Sequence, residues 1–186
     1  MTILTTPIPD LLLIEPKVWK DNRGYFYESF SAKAFEQAGV DINFVQDNQS
    51  YSNRGILRGL HAQKAPFAQG KLVRVIQGSV LDVAVDARIG SPTYGQHYSV
   101  VLSGENHLQL WIPPGFLHGF LTLEDQTIFT YKVTAYYEKD AEVGVIWNDP
   151  DLNIDWNEAI APEELILSDK DLILPSFKDF KSPFKI

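Results

Sequence analysis

Short apolar-rich segments, separated by turn residues, dominate the middle of the chain. They are rich in valine, isoleucine, leucine, phenylalanine and threonine, and most of these residue types favour β-strands. The predicted strands are 71–77, 79–86, 97–102, 107–112, 117–123 and 127–134. Glycine- and proline-containing turns stand between them. Short strands at this spacing predict an antiparallel β-sandwich or barrel.

A predicted helix and an irregular C-terminal third flank these strands. Ser31 can cap a helix over 32–38, and Gly39 can end that helix in the left-handed conformation. Prolines recur between positions 150 and 183, which predicts short helices and loops packed on the barrel, for instance around 162–172. Because no linker divides the sequence, we expect one domain over 1–186.

Strand alternation places two candidate functional residues relative to the core. Phe129 and Tyr131 share one face of their strand, so Tyr131 is predicted to point inward with a hydroxyl that needs a partner. Lys71 shares a face with Val73. A lysine in this position either lines the mouth of a cavity or extends to solvent, and the pattern does not decide between the two.

Charge and composition exclude several classes of protein. The 186 residues include 16 Lys and Arg against 24 Asp and Glu, which gives a formal net charge of −8. This balance, without a basic run, argues against nonspecific nucleic-acid binding and against docking on an anionic membrane. The absence of cysteine excludes a disulfide framework and thiolate metal ligands. Since the sequence shows neither a signal peptide nor a long apolar window, we expect a cytoplasmic protein.

Four histidines are the first candidates for metal binding or acid–base chemistry. His97 and His107 stand at predicted strand starts and are expected to be exposed or half-buried surface residues, whereas His61 and His118 lie in motifs beside glycines. A β-barrel with a histidine in each of two motifs resembles the cupin superfamily. Metal-binding members of that superfamily usually carry two histidines one residue apart, then a glutamate and a later histidine. Here Gln63 stands two residues after His61, and no glutamate follows in this stretch. Because too few ligands remain, we expect no metal and no other cofactor.

Proton transfer is the chemistry that the remaining residues favour. A histidine titrates near neutral pH, so His61 can act as a base. Tyr131 could return a proton from the other side of a bound ligand, and Lys71 could stabilise an anion formed between the two steps. The sequence contains neither a nucleotide-binding glycine loop nor a nucleophilic serine motif.

Several short motifs follow one another along the chain, at Asp21–Phe26, Gln46–Asn48, Arg54–His61, Gly70–Val75, Asp82–Asp86, Ile112–Phe116, Tyr131–Thr134, Tyr136–Tyr137 and Trp147–Pro150. This ordered set resembles the dTDP-4-dehydrorhamnose 3,5-epimerase family. The resemblance implies a mainly β fold, a cupin-type antiparallel jelly-roll barrel with a few short, mostly C-terminal helices. It also implies a homodimer with strand exchange near the N-terminus. The apolar run 11–14 is a candidate for that exchange, or else an ordinary core strand.

The resemblance also implies an isomerase that acts on a dTDP-sugar without a cofactor. The 4-keto group acidifies the hydrogens on C3 and C5, and a base and an acid on opposite faces invert each centre. His61 matches the base and Tyr131 the acid. Asp169 matches the residue that orients the base, and Lys71 the residue that stabilises the enolate oxygen. Tyr137 matches the residue that stacks on thymine, and the other substrate-binding positions are Arg23, Glu28, Gln46, Asp47, Asn48, Arg58, His118, Glu142 and Lys170.

Some alternatives stay open. Arg58 and His61 are three residues apart and would face opposite sides of a regular strand, so either Gly59 marks a β-bulge or the two residues serve different subsites. The same fold would support a mono-epimerase at C3 or C5, a 3,4-ketoisomerase, a metal-dependent cupin or a non-catalytic sugar-binding cupin. The presence of both His61 and Tyr131 favours the double epimerase.

Overall fold

The computed structural model describes residues 1–40, 42–156 and 160–186, and most of its regular structure is antiparallel β-sheet. The strands are β1 (Thr2–Thr5), β2 (Leu12–Glu15), β3 (Trp19–Asp21), β4 (Gly24–Phe26), β5 (Gln46–Ser52), β6 (Leu57–Gln63), β7 (Lys71–Gln77), β8 (Ser79–Asp86), β9 (His97–Ser103), β10 (Gln109–Ile112), β11 (Phe116–Thr122), β12 (Thr127–Val133) and β13 (Glu142–Gly144). The first sheet has the strand order β1-β2-β10-β7-β12-β5, and the second has the order β13-β6-β11-β8-β9. Strands β3 and β4 form a separate hairpin.

The six predicted strands are confirmed as β7 to β12, with bounds shifted by a residue or two. Strand β5 lies outside the predicted set because both of its faces are largely polar. Gln46, Asn48 and Ser50 alternate along it with Asp47 and Gln49. A strand of this composition has no apolar alternation for a sequence pattern to detect.

The inner faces of the two sheets meet in one apolar core. Val73 of β7 and Phe129 of β12 contribute from the first sheet, and Val80 of β8 and Phe116 of β11 from the second. The outer face of the second sheet is covered by the C-terminal third, whose Trp156 packs among residues such as Leu117. Side chains on the inner faces of β6, β8 and β11 therefore point toward β7 and β12, which is the arrangement of a flattened barrel.

The helices are short and lie outside the sheets. The predicted helix is confirmed as α1 (Ala32–Gln37), since Ser31 Oγ accepts a hydrogen bond from the Ala34 amide and Gly39 follows with a φ of +79°. Phe35 of this helix packs against the outer face of the first sheet, in a cluster with Trp111. The short helices expected near 162–172 are the 3-10 helices Pro162–Glu164 and Asp171–Ile173, and a third spans Lys139–Ala141.

The run 11–14 forms part of the first sheet in this chain. Leu11 and Ile14 are each 1% exposed, and β2 pairs with both β1 and β10. The pairing fits an ordinary core strand within one chain. Exchange of this strand between two protomers stays a prediction.

Candidate active site

A cavity of about 540 Å³ lies between the two sheets. Its walls come from the inner faces of both sheets, and residues 166–168, 170 and 171 of the C-terminal third close one side. Many of the predicted site residues meet here. The lining includes Arg58, His61, Gln63, Lys71, His118, Tyr131, Tyr137, Glu142, Lys170 and Asp171.

A β-bulge brings Arg58 and His61 to the same cavity. On the neighbouring strand β11, His118 pairs with His61 and Phe120 pairs with Arg58, so two residues of β6 stand opposite Gly119 alone. The extra residue reverses the alternation and turns both side chains inward. Of the two alternatives left by the sequence, the bulge at Gly59 is the one observed.

His61 is held by Asp171, and the prediction that Asp169 takes this place is wrong. His61 Nε2 lies 2.6 Å from Asp171 Oδ1. Asp171 is 2% exposed, whereas Asp169 lies on the exposed side of the turn. The turn is closed by a hydrogen bond from the Asp171 amide to the Ser168 carbonyl, which directs residue 171 back toward β6.

Several contacts favour the ionised form of Asp171. Burial opposes its ionisation most strongly, but the hydrogen bonds with His61 and Ser168 and the attraction of His61 and Lys170 together outweigh burial and lower the pKa of the carboxyl group. An ionised Asp171 accepts a hydrogen bond, so a neutral His61 carries its hydrogen on Nε2 and keeps a basic lone pair on Nδ1.

A second histidine–aspartate pair stands beside the first. His118 Nε2 lies 2.9 Å from Asp82 Oδ2, and both side chains are buried. Burial lowers the pKa of His118, and the neighbouring Asp82 opposes this effect only in part. Asp82 was not singled out from the sequence, although strand alternation could have found it. It is a carboxylate on the inner face of β8, between Val80 and Ala84.

Lys71 begins β7 and lines the cavity, which decides between the two predictions for its side chain. Burial lowers the pKa of its ammonium group to about 8, against the attraction of Asp82 and Glu142. The site therefore holds a cation that is poorly solvated and close to its titration point.

Tyr131 approaches the cavity from the opposite sheet to His61. It sits on β12 between Val73 of β7 and Asn48 of β5, facing inward as the alternation predicts. Burial raises the pKa of its phenol, so the group is protonated at neutral pH. Asn48, its cross-strand neighbour, shares that face and accepts a hydrogen bond from the side chain of Gln46.

The lining beside Tyr131 contains a short polar network. Lys170 Nζ lies 2.6 Å from Glu142 Oε1, and the Tyr137 hydroxyl donates to Glu142 Oε2 at 3.1 Å. Burial opposes ionisation of Glu142, but the contacts with Lys170 and Tyr137 and the attraction of His61 together outweigh burial and lower the carboxyl pKa. The contact with Glu142 raises the pKa of Lys170 despite burial. Glu142 thus holds the Lys170 ammonium group and the exposed Tyr137 ring side by side in the cavity lining.

Five predicted substrate-binding residues are absent from the lining of this cavity. Two of them, Gln46 and Asn48, lie on the inward face of β5, and the other three point elsewhere. Arg23 is an exposed hairpin residue that pairs with Asp21, and Glu28 is exposed beyond that hairpin. Asp47 pairs with Lys132 at 2.9 Å on the outer face of the first sheet. Asp47 alternates with its neighbours on β5, so it cannot share their inward direction.

The amide of Gln63 is committed to backbone groups. It donates to the carbonyl oxygens of Phe67 and Tyr136 and accepts from the amide of Glu138.

Within 1–40, 42–156 and 160–186, no group of three or more histidine, aspartate and glutamate side chains is arranged to hold a metal ion. The expectation that the protein needs no cofactor stays a prediction.

Comparison with known proteins decides the family. The family model described as dTDP-4-dehydrorhamnose 3,5-epimerase matches residues 5–179. The chain belongs to this family. A dTDP-4-dehydrorhamnose 3,5-epimerase from Shigella flexneri is 51% identical over 180 residues, which cover 96% of this chain and 97% of the relative.

Solved structures of family members agree with this assignment. The dTDP-4-dehydrorhamnose 3,5-epimerase of Elizabethkingia anophelis superposes with a TM-score of 0.92 at 49% identity, over 98% of both chains. The Legionella pneumophila dTDP-6-deoxy-D-glucose-3,5-epimerase, solved with dTDP-4-keto-L-rhamnose, gives 0.90 at 48% identity, over 96% of this chain and 94% of the other.

These similarities confirm the predicted family, the isomerase class and the cupin-type jelly-roll fold of this epimerase-family chain. They also agree with the predicted activity, since 3,5-epimerisation is the reaction in the names of these relatives. Among the described residues, no helix combines the length and apolar character needed to cross a bilayer.

Proposed function

We propose that this protein epimerises C3 and C5 of the 4-keto-6-deoxy sugar of a dTDP-sugar, converting dTDP-4-dehydro-6-deoxyglucose to dTDP-4-dehydro-L-rhamnose. One observation carries the proposal. A basic imidazole, His61, and a protonated phenol, Tyr131, face the same cavity from two different sheets. Inversion of a carbon centre requires a base on one side and an acid on the other, and this cavity offers both.

The first half of each inversion is proton removal. His61 Nδ1 takes the hydrogen from the carbon next to the ketone, and the electron pair of the broken C–H bond moves into an enolate. Asp171 stabilises the imidazolium that forms, since it is an ionised carboxylate at 2.6 Å from the other ring nitrogen. No electron leaves the substrate, so the step needs no oxidant.

The enolate oxygen requires a positive or hydrogen-bonding partner. Lys71 supplies a poorly solvated ammonium group, which interacts strongly with a developing negative charge. His118 lines the same part of the cavity and is directed by Asp82. We assign both residues to the ketone oxygen.

The second half returns a proton to the opposite face. The Tyr131 hydroxyl donates the proton to the enolate carbon, and the resulting phenolate is restored by exchange with solvent. Because burial raises the pKa of Tyr131, proton donation requires a carbon base of comparable or greater strength, which the enolate provides. His61 and Tyr131 thus act on the same carbon in sequence.

The nucleotide part of the substrate has candidate partners along the lining. Arg58 and Lys170 offer positive charges suited to a pyrophosphate, and Tyr137 offers an exposed ring suited to stacking on thymine. Gln46 and Asn48 stand on the inward-facing side of β5 close to these groups. This local positive charge coexists with the net charge of −8.

We also propose that the active form is a homodimer. The β3–β4 hairpin packs on the outer face of the first sheet, where the Tyr27 hydroxyl accepts from Arg74 and Tyr25 contacts His107. Its Phe26 is 67% exposed. If a second protomer covers this ring, Arg23 and Glu28 of one protomer would lie at the cavity of the other. This arrangement would explain how both residues could bind substrate although they lie away from the cavity of their own chain. Cross-linking and light scattering test the dimer, and cell fractionation tests the predicted cytoplasmic location.

Incubation with dTDP-4-keto-6-deoxyglucose in deuterium oxide tests the reaction directly. We expect deuterium at both C3 and C5 by NMR, and no exchange with His61→Ala. Exchange at one carbon alone would reassign the protein as a mono-epimerase. Bound substrate without any exchange would contradict the proposal and favour a sugar-binding cupin. Stoichiometric iron, zinc or manganese in the active protein would overturn the cofactor-free reaction.

A further inference from the structure

The segment 135–138 has no regular secondary structure, yet glutamine side chains satisfy its backbone. It connects β12 to the 3-10 helix Lys139–Ala141. Backbone polar groups in such a segment must find partners outside a sheet or helix. Three glutamine side chains supply these partners. Gln69 donates to Ala135 O at 2.6 Å, and Gln46 accepts from Tyr137 N at 3.4 Å. Gln63 makes two of the contacts, since it donates to Tyr136 O at 3.1 Å and accepts from Glu138 N at 2.7 Å.

Gln63 is the centre of this arrangement because it contacts two of the four residues and is 5% exposed. Its second amide hydrogen goes to the carbonyl oxygen of Phe67 at 2.7 Å. Both hydrogens and the oxygen of the amide are therefore engaged. A buried amide with all three contacts made to backbone fixes the distance between strand β6 and the segment.

The segment carries Tyr137, whose ring is 56% exposed and whose hydroxyl donates to Glu142. Little packing holds the ring itself, so its position depends on the backbone that bears it. A ring already held in place loses less conformational freedom when a flat ligand stacks on it, and binding is correspondingly tighter.

We infer that Gln63 and Gln69 are positioning residues that hold the 135–138 backbone so that Tyr137 can stack on the base of a thymine nucleotide. The inference rests on the proposed function, because it requires a nucleotide at Tyr137. Both glutamines line the cavity, but their amide nitrogens donate to backbone carbonyl oxygens, so neither is assigned to the reacting sugar. Loss of either one therefore weakens nucleotide binding while leaving proton transfer in the saturated enzyme largely intact.

The test compares Gln63→Leu and Gln69→Leu with a matched control, Gln109→Leu. Gln109 is a buried glutamine of β10, and the side-chain hydrogen bonds described above for the segment come from other glutamines. Calorimetric Kd for dTDP, KM and kcat are measured for each. We expect Kd and KM to rise about tenfold or more in the first two variants, with kcat within about threefold of wild type. Gln109→Leu keeps wild-type Kd and KM.

A double-mutant cycle separates positioning from a general loss of structure. In a Tyr137→Ala background, Gln63→Leu should raise Kd by less than about twofold, because the ring that it positions is gone. Hydrogen exchange of the peptide spanning 134–141 should be faster in Gln63→Leu, independently of any activity. Gln63→Asn, which keeps the amide on a shorter side chain, should restore part of the affinity.

Each outcome has a distinct meaning. An undiminished effect of Gln63→Leu in the Tyr137→Ala background, or a fall in kcat as large as the rise in KM, would overturn the inference. Wild-type affinity for dTDP in Gln63→Leu would also overturn it. Failure of the wild-type protein to bind dTDP would instead contradict the proposed function, and the exchange measurement would still report whether the glutamines hold the segment.

Discussion

His61 Nε2 and Asp171 Oδ1 lie 2.6 Å apart, although the two residues are separated by 110 positions in the sequence. The contact joins a strand of the second sheet to a 3-10 helix of the C-terminal third. It gives the C-terminal third a role beyond covering the outer face of that sheet, since it supplies the carboxylate that orients the proposed base. Correct docking of this region is therefore a condition for catalysis.

Replacement of Asp171 should impair proton abstraction, and Asp169 provides the control. Asp171→Asn removes the charge that stabilises the imidazolium and disturbs the tautomer of His61. We expect kcat to fall about 10²-fold or more, within the range that general acid–base catalysis contributes. Asp169→Asn should keep kcat within about twofold, because its side chain is exposed and away from the ring. Equal losses in both variants would refute the assignment. Steady-state kinetics on folded protein provide the measurement.

The buried ammonium of Lys71 predicts an alkaline limit to activity. Burial lowers its pKa to about 8, and only the protonated form stabilises an enolate. As pH rises through about 8, kcat should therefore fall. The arginine of Lys71→Arg stays protonated well beyond this pH range. The residual kcat of this variant should therefore not fall as pH rises through about 8. A wild-type kcat that stays flat to about pH 10 would show that Lys71 does not act as a cation.

The same residue makes stability depend on pH. Between its folded pKa of about 8 and its ordinary value of 10.5, Lys71 is neutral in the folded state and protonated in the unfolded state. The unfolded state then binds more protons, so this group makes stability rise with pH across that window. Relative to Lys71→Met, the wild-type free energy of unfolding should gain roughly 2–3 kcal/mol between about pH 7 and pH 10.5. Urea unfolding of both proteins measures the difference in their free energies of unfolding at each pH. That difference would not change with pH if the ammonium group were well solvated in the folded state.

Removal of the Tyr131 hydroxyl should separate proton removal from inversion. In Tyr131→Phe, His61 can still abstract a proton and return one to the same face, so deuterium should enter the substrate with retained configuration. Formation of the inverted product should fall by about 10²-fold. Tyr136→Phe is a suitable control because this neighbouring tyrosine is 65% exposed and does not line the cavity. If Tyr131→Phe abolished exchange as completely as His61→Ala, the division of roles would be wrong. Chiral analysis by NMR distinguishes these outcomes.

Local alternation explains which parts of the fold and site were predictable. Strands β7 to β12 have an apolar inner face, so their side-chain pattern reports their structure directly. The inward direction of Tyr131 followed from the same alternation. For Lys71 the alternation indicated only a face shared with Val73 and left open whether the side chain lines a cavity or extends to solvent. The inner face of β5 carries polar residues such as Gln46 and Asn48, and a pattern based on apolar burial therefore missed that strand.

Residues in irregular segments were not predictable in this way. Asp169 and Asp171 are separated by a single lysine, and only the turn closed on Ser168 determines which one reaches His61. Family likeness identified Asp47 by residue type, but the strand turns its side chain outward to Lys132. Such choices depend on contacts between distant parts of the chain, which local periodicity does not encode.

The bulge at Gly59 should tolerate no side chain. Gly59 has a φ of +118°, and a Cβ there would lie 2.5 Å from Gly119 Cα and 2.7 Å from His118 O. Both neighbours are backbone atoms of the paired strand, so Gly59→Ala must displace β6 or β11. We expect a loss of about 2 kcal/mol or more in the free energy of unfolding.

Gly39→Ala is the matched control for Gly59→Ala because Gly39 also has a positive φ, +79°, with nothing within 4 Å of the added Cβ. Its cost should be about 1–2 kcal/mol, with unchanged kcat, since only the backbone conformation is disfavoured. In Gly59→Ala, kcat/KM should fall at least about tenfold even at temperatures where circular dichroism shows a folded protein, because Arg58 and His61 no longer converge. If the two variants matched in stability and activity, the bulge would not require glycine and its role in bringing the two side chains together would be refuted.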